Sequence, residues 1–594
     1  MREFSTPETY RVPENGNLTD DVLAHLATAP DTVLFRRRGP SHHDWYDVTA
    51  AQFRDQVVAV AKGLVAAGIE PGDRVGLLSR TRYEWTLVDY AIWWVGAATV
   101  PVYDTSPADE VGWVLADSGA MACVVEDDGH RRRVESVTDD LPALQHVWCI
   151  QGGAVESLTA LGRSVSDDDL EARRSAVTPH TLATLIYTSG TTGRPKGCRL
   201  SHGNFLAELG SATEALDDVF GRSDASTLLF LPLAHVFARV IQVGCVRTGA
   251  TLAHTSDVSD LVTVLGEFRP TFVLSVPRVF EKIYTALSQQ ATVAGRDRVF
   301  ANAAATAIAW SRAQADGRPG LALRVRHAAF DRLVYSRLRA ALGGHLRHAV
   351  SGGAPLGDRL THFFRGVGIP VLEGYGLTET TAALTVNSPA EYKVGTVGRP
   401  LPGVTVRVAD DGELWFRGPQ VFSGYWVAEG TAKGAAGQNT DGATTAAMTD
   451  GWFRSGDLGE IDGEGFVTVT GRSNEILVTA GGKSVAPALL EDRVRAHPLV
   501  SQCLVVGDGR PFVAALVTVD ADAAAGRAEP DLHQVVQTAV DEANRAVSSA
   551  ESIRRFRLLD KDWTEEGGHL TPSLELRRAH VLRDFRSDIE SLYA

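Results

Sequence analysis

An α/β fold, built as a large N-terminal domain of layered sheets and helices followed by a small C-terminal α+β domain, is what this sequence predicts. Three observations lead there. At 594 residues the chain exceeds what one hydrophobic core supports. Helical and strand patterns alternate along most of it, as α/β layers require, and no repeat of fixed period interrupts them. After Arg472 the pattern becomes compact, with short apolar strands at Gln502 to Val506 and Phe512 to Val519, so the boundary is placed between 472 and 473.

The elements follow in order. Thr49 to Gly68 is amphipathic and reads as a helix, and Gly72-Asp73 turns the chain into a strand at Arg74 to Leu78. Leu87 to Val102 is the most apolar stretch. Interrupted by Asp89, it falls short of a membrane span and reads as a buried helix followed by a strand. Met121 to Val125 and Leu182 to Tyr187 are further strands; Ser259 to Phe268 reads as helix, Thr271 to Ser275 as strand, and Arg278 opens another helix. Asp127 to Asp140 and Ser164 to Arg174 are polar and expected to be surface connections. Two segments look like insertions. Arg296 to Leu342 is helical and rich in Ala and Arg, with a Gly-Arg-Pro-Gly turn at 317 to 320; Glu429 to Met448 lacks periodicity and is expected to be a mobile loop.

A content of 44% hydrophobic and 22% charged residues places the chain among globular proteins. The net charge of -15 argues against nucleic acid as a partner, because phosphate binding needs a basic face. Cys123, Cys149, Cys198, Cys245 and Cys503 lie far apart without CxxC spacing, so neither a disulfide framework nor a zinc site is expected, and a reducing compartment fits. The N-terminal stretch lacks the apolar centre of a secretory signal. A cytoplasmic location is expected, with no transmembrane segment and any membrane contact peripheral.

The strongest chemical signal is Tyr187-Thr188-Ser189-Gly190-Thr191-Thr192-Gly193-Arg194-Pro195-Lys196-Gly197, between an apolar strand and a helix beginning near Ser201. Glycines let such a loop curl so that amide N–H groups face phosphate oxygens; hydroxyls add further donors, and Lys196 supplies a point charge. The spacing is not that of a Walker loop. Downstream come Leu231 to Phe237 with His235, Ser351-Gly352-Gly353-Ala354-Pro355, Glu373-Gly374-Tyr375-Gly376-Leu377-Thr378-Glu379-Thr380, Trp452 to Gly459 with Asp457, Gly471-Arg472-Ser473-Asn474-Glu475 and Ala480-Gly481-Gly482-Lys483.

With these strings in this order, the chain resembles the adenylate-forming superfamily of acyl-CoA synthetases, luciferases and peptide-synthetase adenylation domains. The resemblance covers nearly the whole chain. Val102 to Ser106, Thr479 to Pro487 and Trp563 to Glu566 look closest to bacterial long-chain fatty acyl-CoA synthetases. It implies a mobile C-terminal lid and a two-step reaction: ATP and a fatty acid give acyl-AMP and pyrophosphate, then the thiol of CoA displaces AMP. It implies that Thr188, Ser189, Gly190, Thr191, Thr192 and Lys196 hold phosphates, and that Gly353, Gly374, Tyr375, Gly376 and Thr378 form the adenine pocket. Asp457 and Arg472 would bind the ribose, and Thr188 and Glu379 would hold Mg2+. His235 would orient the carboxylate, Asn474 would be the hinge, and Gly481, Gly482 and the catalytic Lys483 would line the CoA tunnel.

One position departs from the family's pattern. In Leu570-Thr571-Pro572-Ser573-Leu574-Glu575-Leu576-Arg577-Arg578, the family carries lysine where this chain has Glu575. That lysine would neutralise charge built up during adenylation, so Glu575 is expected to slow the first step unless Arg577, Arg578 or Lys561 substitutes. The resemblance therefore implies a long-chain fatty acid–CoA ligase. Two alternatives stay open: a fatty acyl-AMP ligase loading a carrier protein, and a nucleotide- and acyl-binding homologue with little turnover.

Overall fold

The structure is a computed structural model that describes residues 1–39, 44–188, 194–257, 261–315, 317–427, 440–497, 499–520, 524, 528–549, 551–571 and 575–594. Its first sheet orders the strands His146–Cys149, Ala122–Val125, Arg74–Leu78, Ala98–Val102, Leu182–Thr188 and Lys196–Ser201. Every pairing is parallel except the last, a hairpin in which Thr188 faces Lys196. Parallel strands covered on both faces need near-continuous apolar runs, and Ala98–Val102 is buried at every position.

A second sheet holds the parallel strands Phe272–Ser275, His348–Ser351 and Val371–Leu377, extended antiparallel by Ala382–Val386 and Arg399–Pro400. A third is antiparallel: Glu3–Ser5, Thr405–Val408, Glu413–Arg417, Trp452–Ile461 and Val467–Arg472.

Asp89, the charge inside the apolar run, is wholly buried with Arg239, whose guanidinium lies 2.6 Å away. The Thr99 hydroxyl and Gln242 amide also donate to the Asp89 carboxylate, so the buried charges are paired and hydrogen-bonded. Among the described residues, no helix is long and apolar enough to cross a membrane.

Hydrophobic residues from Leu18 to Val467 pack into one large core with a smaller cluster, Leu78 to Tyr187, beside it, and those from Leu477 onward form separate clusters. There the strands Val500–Val506, Val513–Val519 and Ile553–Leu558 form one sheet, with helices Pro487–Arg495 and Glu529–Asn544. A polar seam joins the two parts. Arg278, at the start of helix Pro277–Val293, donates to the carbonyl of Ser501 at 3.0 Å and to its hydroxyl at 2.7 Å. The Ser501 hydroxyl in turn bonds Asp562, which precedes the buried Trp563.

Three sequence expectations change. Asp128–Glu135 and Asp167–Ser175, expected as surface connections, are helices capped by Asp127 and Ser166. In the segment expected as a loop, Thr440–Ala447 is helical, while residues 428–439 lie outside the described residues.

Candidate functional site

A cavity of about 450 Å³ opens where the C-terminal ends of the second sheet's parallel strands meet the hairpin Leu182–Thr188/Lys196–Ser201 and the segment Thr571–Arg577. Ligand crevices of open α/β sheets lie at this end of the strands. Twelve of the residues singled out from the sequence line it: Thr188, Lys196, His235, Gly353, Gly374, Tyr375, Gly376, Thr378, Glu379, Arg472, Asn474 and Glu575. Ser189, Gly190, Thr191 and Thr192 lie outside the described residues.

The glycines make one wall a backbone surface. Gly353 has φ +84°, in the left-handed region that side chains disfavour. At Gly376 a Cβ would fall 1.5 Å from the carbonyl oxygen of Ala382, so only glycine allows the strand Val371–Leu377 to bulge against its neighbour. Tyr375 stands between them, its hydroxyl donating to Asp457 at 2.5 Å. Asp457 does not line the cavity. It sits one layer behind, buried, with the other carboxylate oxygen 3.5 Å from Arg472. Burial pushes its carboxyl above the ordinary aspartate value, and Arg472 opposes that shift.

Thr188 and Lys196 stand opposite each other where the hairpin ends. Glu379 accepts a 2.8 Å hydrogen bond from the hydroxyl of Tyr425, whose ring lies 5.5 Å from the Lys196 ammonium. Tyr425 has no signal in the sequence; its place is set by tertiary packing alone. Thr188 and Glu379 thus present a hydroxyl and a carboxylate to the same space.

His235 caps the helix Val236–Thr248, and its Nδ1 accepts from the backbone N–H of Phe237 at 3.3 Å. Burial lowers its pKa to about 4, so the ring is neutral near pH 7. With Nδ1 an acceptor, the proton of the neutral ring sits on Nε2 as a donor. Beyond it, Leu209, Ala212, Val240, Ile241, Gly244 and Phe220 form an apolar wall between the helices His202–Ala215 and Val236–Thr248. Of Thr271 to Tyr284, where the sequence offered tunnel-lining residues, Leu274 lines the cavity.

Glu575 reaches the opposite side. A methyl group on Gly353 would lie 3.8 Å from its Oε1. The carboxyl lines the cavity, and its desolvation there raises its pKa while the Arg472 charge works the other way. Arg577 also lines the cavity. Arg578 does not; it pairs with Glu491 at 2.7 Å. Gly481, Gly482 and Lys483 stand apart from the cavity, in the turn between Leu477–Val478 and Ser484–Val485, where Lys483 pairs with Glu551 at 3.3 Å. Sequence neighbours with the expected roles are therefore divided: the Glu575 segment faces the cavity and the Lys483 turn does not.

Glu373, quoted in the sequence string without a role, accepts from the N–H of Leu356 at 3.1 Å and the hydroxyl of Thr361 at 3.0 Å. Burial nevertheless pushes its pKa up to about 7 from an ordinary 4.5. The folded state then holds a proton that the unfolded state releases between these values, so stability is greatest below the unfolded pKa and falls as pH rises through about 7. We expect Glu373→Gln to flatten that fall, making the variant the more stable protein above neutrality by on the order of 3 kcal/mol. Denaturant unfolding at several pH values checks this; parallel stability curves for parent and variant would contradict it.

Residues 23–426 match the AMP-binding enzyme family, and residues 474–594 match the AMP-binding enzyme C-terminal domain. The chain is 48% identical over 612 aligned residues to the long-chain-fatty-acid–CoA ligase FadD15 of Mycobacterium tuberculosis, with 100% of both chains covered. It is 29% identical to the long-chain-fatty-acid–CoA ligase ACSBG2 of Gallus gallus, covering 93% of this chain and 78% of that one. Among solved structures, the O-succinylbenzoate coenzyme A synthetase of Bacillus subtilis in complex with AMP superposes with a TM-score of 0.68 at 20% identity, covering 96% of this chain and 98% of that one.

Proposed function

Because the chain belongs to the AMP-binding enzyme family, we propose that it is a long-chain fatty acid–CoA ligase whose adenylation step is slowed by Glu575. The observation that carries the reading is the single cavity that joins a glycine-walled polar half to an apolar half, with His235 between them. A nucleotide suits the first half and an acyl chain the second.

In the first step a carboxylate oxygen of the fatty acid attacks the α-phosphorus of ATP, and pyrophosphate leaves. The neutral His235 donates from Nε2 to the carboxylate and holds it at the junction. Tyr375 presents its ring to the base, and Arg472 takes the ribose hydroxyls together with Asp457, which must exchange its Tyr375 contact for them because it stands one layer behind the cavity wall. Lys196 and the 189–192 loop take the phosphates. Thr188 and Glu379 form a hard-oxygen donor pair that suits Mg2+, which would neutralise charge on the phosphates. In the second step the thiol sulfur of CoA attacks the acyl carbonyl and AMP leaves. Lys483 with Gly481 and Gly482 serves that step after the C-terminal domain, residues 473–594, has turned about Asn474.

An acid panel tests the substrate class: ATP- and CoA-dependent acyl-CoA formation is expected to favour long-chain acids over acetate and benzoate. Preference for a short or aromatic acid would overturn it.

The hinge gives a separate prediction. Asn474 lies in the short 3-10 turn Ser473–Glu475, directly after Arg472. Proline fixes φ in the range this turn uses and resists the dihedral change of a rotation. Asn474→Pro should therefore spare adenylation and cut thioester formation from supplied acyl-AMP at least about tenfold, as for gating lost at a lid. Equal losses in both half-reactions would place the hinge elsewhere.

A further inference from the structure

Thr381 at φ +56° and Ala382 at φ +88° stand side by side in the left-handed region. That region is costly for any side chain and most of all for a β-branched one such as threonine. The pair lies directly after the turn Thr378–Thr380, from which Thr378 and Glu379 face the cavity. Such strain persists only where the surroundings hold it. The Thr380 hydroxyl lies 3.1 Å from the carbonyl of Ala382, and the Thr381 hydroxyl donates to the carbonyl of Gln420 at 2.8 Å. A further restraint comes from a distant element: the N–H of Ala383 donates to Oε1 of Glu208 at 3.0 Å.

Glu208 sits in the helix His202–Ala215, wholly buried, at the wall of the cavity. Burial pushes its carboxyl well above the ordinary glutamate value, and the Ala383 N–H and the Gln420 side chain oppose that shift. A neutral carboxyl still accepts through its carbonyl oxygen, so the contact with Ala383 does not need the charge.

We propose that Glu208 is a positioning residue whose contact with Ala383 clamps the strained Thr381–Ala382 backbone and so keeps Glu379 facing the phosphate end of the cavity. Ala383 pairs with Gly376 and Ala382 with Leu377 across the ladder, so the clamp also steadies the strand that forms the glycine wall. Once released, Thr381 and Ala382 would relax toward ordinary φ, and the turn that carries Glu379 would rotate with them. The proposal rests on the nucleotide reading of the cavity's polar half.

The test titrates ATP and AMP separately into the full chain with magnesium ion, leaving out fatty acid and CoA, so binding is read without turnover. Glu208→Leu removes the acceptor while filling its volume, and should weaken ATP about tenfold, the scale of one buried hydrogen-bond partner. AMP lacks the β- and γ-phosphates and should be weakened far less, whereas a general loosening of the wall would weaken both alike. Glu208→Gln keeps a neutral acceptor and should bind ATP within about twofold of the parent. Glycine adopts positive φ readily, so Glu208→Leu/Ala382→Gly should return to within about threefold of the parent. Parent-like ATP affinity in Glu208→Leu, equal losses of ATP and AMP, or no recovery with Ala382→Gly would overturn the proposal. A tenfold loss in Glu208→Gln, the variant that least disturbs folding, would overturn it as well. A parent that binds neither nucleotide would instead remove the nucleotide reading, and the clamp with it.

Discussion

Glu575→Lys is expected to raise the rate of adenylation by about a hundredfold, the scale of a single electrostatic donor placed where charge develops. The wild-type carboxyl stands in the cavity beside Gly353 and near Arg472, on the side from which the α-phosphate would be reached. Two like charges ~4 Å apart at an effective dielectric of ~20 oppose each other by about 4 kcal/mol, and the lysine replaces that repulsion with attraction. The supplied thioester step should stay unchanged. Glu575→Gln should recover an intermediate part, since it removes repulsion without adding a cation. pH gives an internal control. The Glu575 pKa is raised by burial, so its carboxyl protonates above the ordinary glutamate range. Parent adenylation should therefore rise relative to Glu575→Gln as pH falls. Pyrophosphate release measures all of this. A rate unchanged in Glu575→Lys would mean that a cation already present, Arg577 or Arg472, supplies the charge.

The second large effect is expected at Asp457. Asp457→Ala removes the acceptor of the Tyr375 hydroxyl and the counter-ion of Arg472 together with the proposed ribose contact. Hydrogen bonds to a charged group contribute ~1.5–3 kcal/mol each, so ATP affinity should fall at least about tenfold. Tyr375→Phe separates the causes: the ring stays, the proposed ribose carboxylate stays, and the loss should be several-fold smaller. Calorimetric titration with ATP reads both. Parent-like affinity in Asp457→Ala would remove the ribose assignment.

Much of the site was legible in the sequence because it is built from contiguous strings at strand ends. Thr188 and Lys196, or Gly374, Tyr375, Gly376 and Glu379, need little more than their own strands to reach one cavity. The parallel strands were legible too, since burial on both faces leaves unbroken apolar runs such as Ala98–Val102. The helices Asp128–Glu135 and Asp167–Ser175 were not. Each buries two side chains, and each is held instead by an N-terminal cap with acids in its first turn and arginines in its last. Composition reads such segments as polar loops. The strand Glu3–Ser5 finds its partner at Thr405–Val408, which no local pattern announces. Tyr425 behind Glu379, and the Arg278–Ser501–Asp562 seam, are likewise products of long-range packing.

In the proposed reaction, free CoA accepts the acyl group from an adenylate formed in this cavity. This is tested most directly by following labelled long-chain fatty acid with ATP and magnesium ion, with and without CoA, and separating acyl-AMP from acyl-CoA. Slow formation of acyl-CoA with release of AMP is expected when CoA is present, with no build-up of free acyl-AMP. Acyl-AMP that accumulates at the same rate whether or not CoA is added would contradict it.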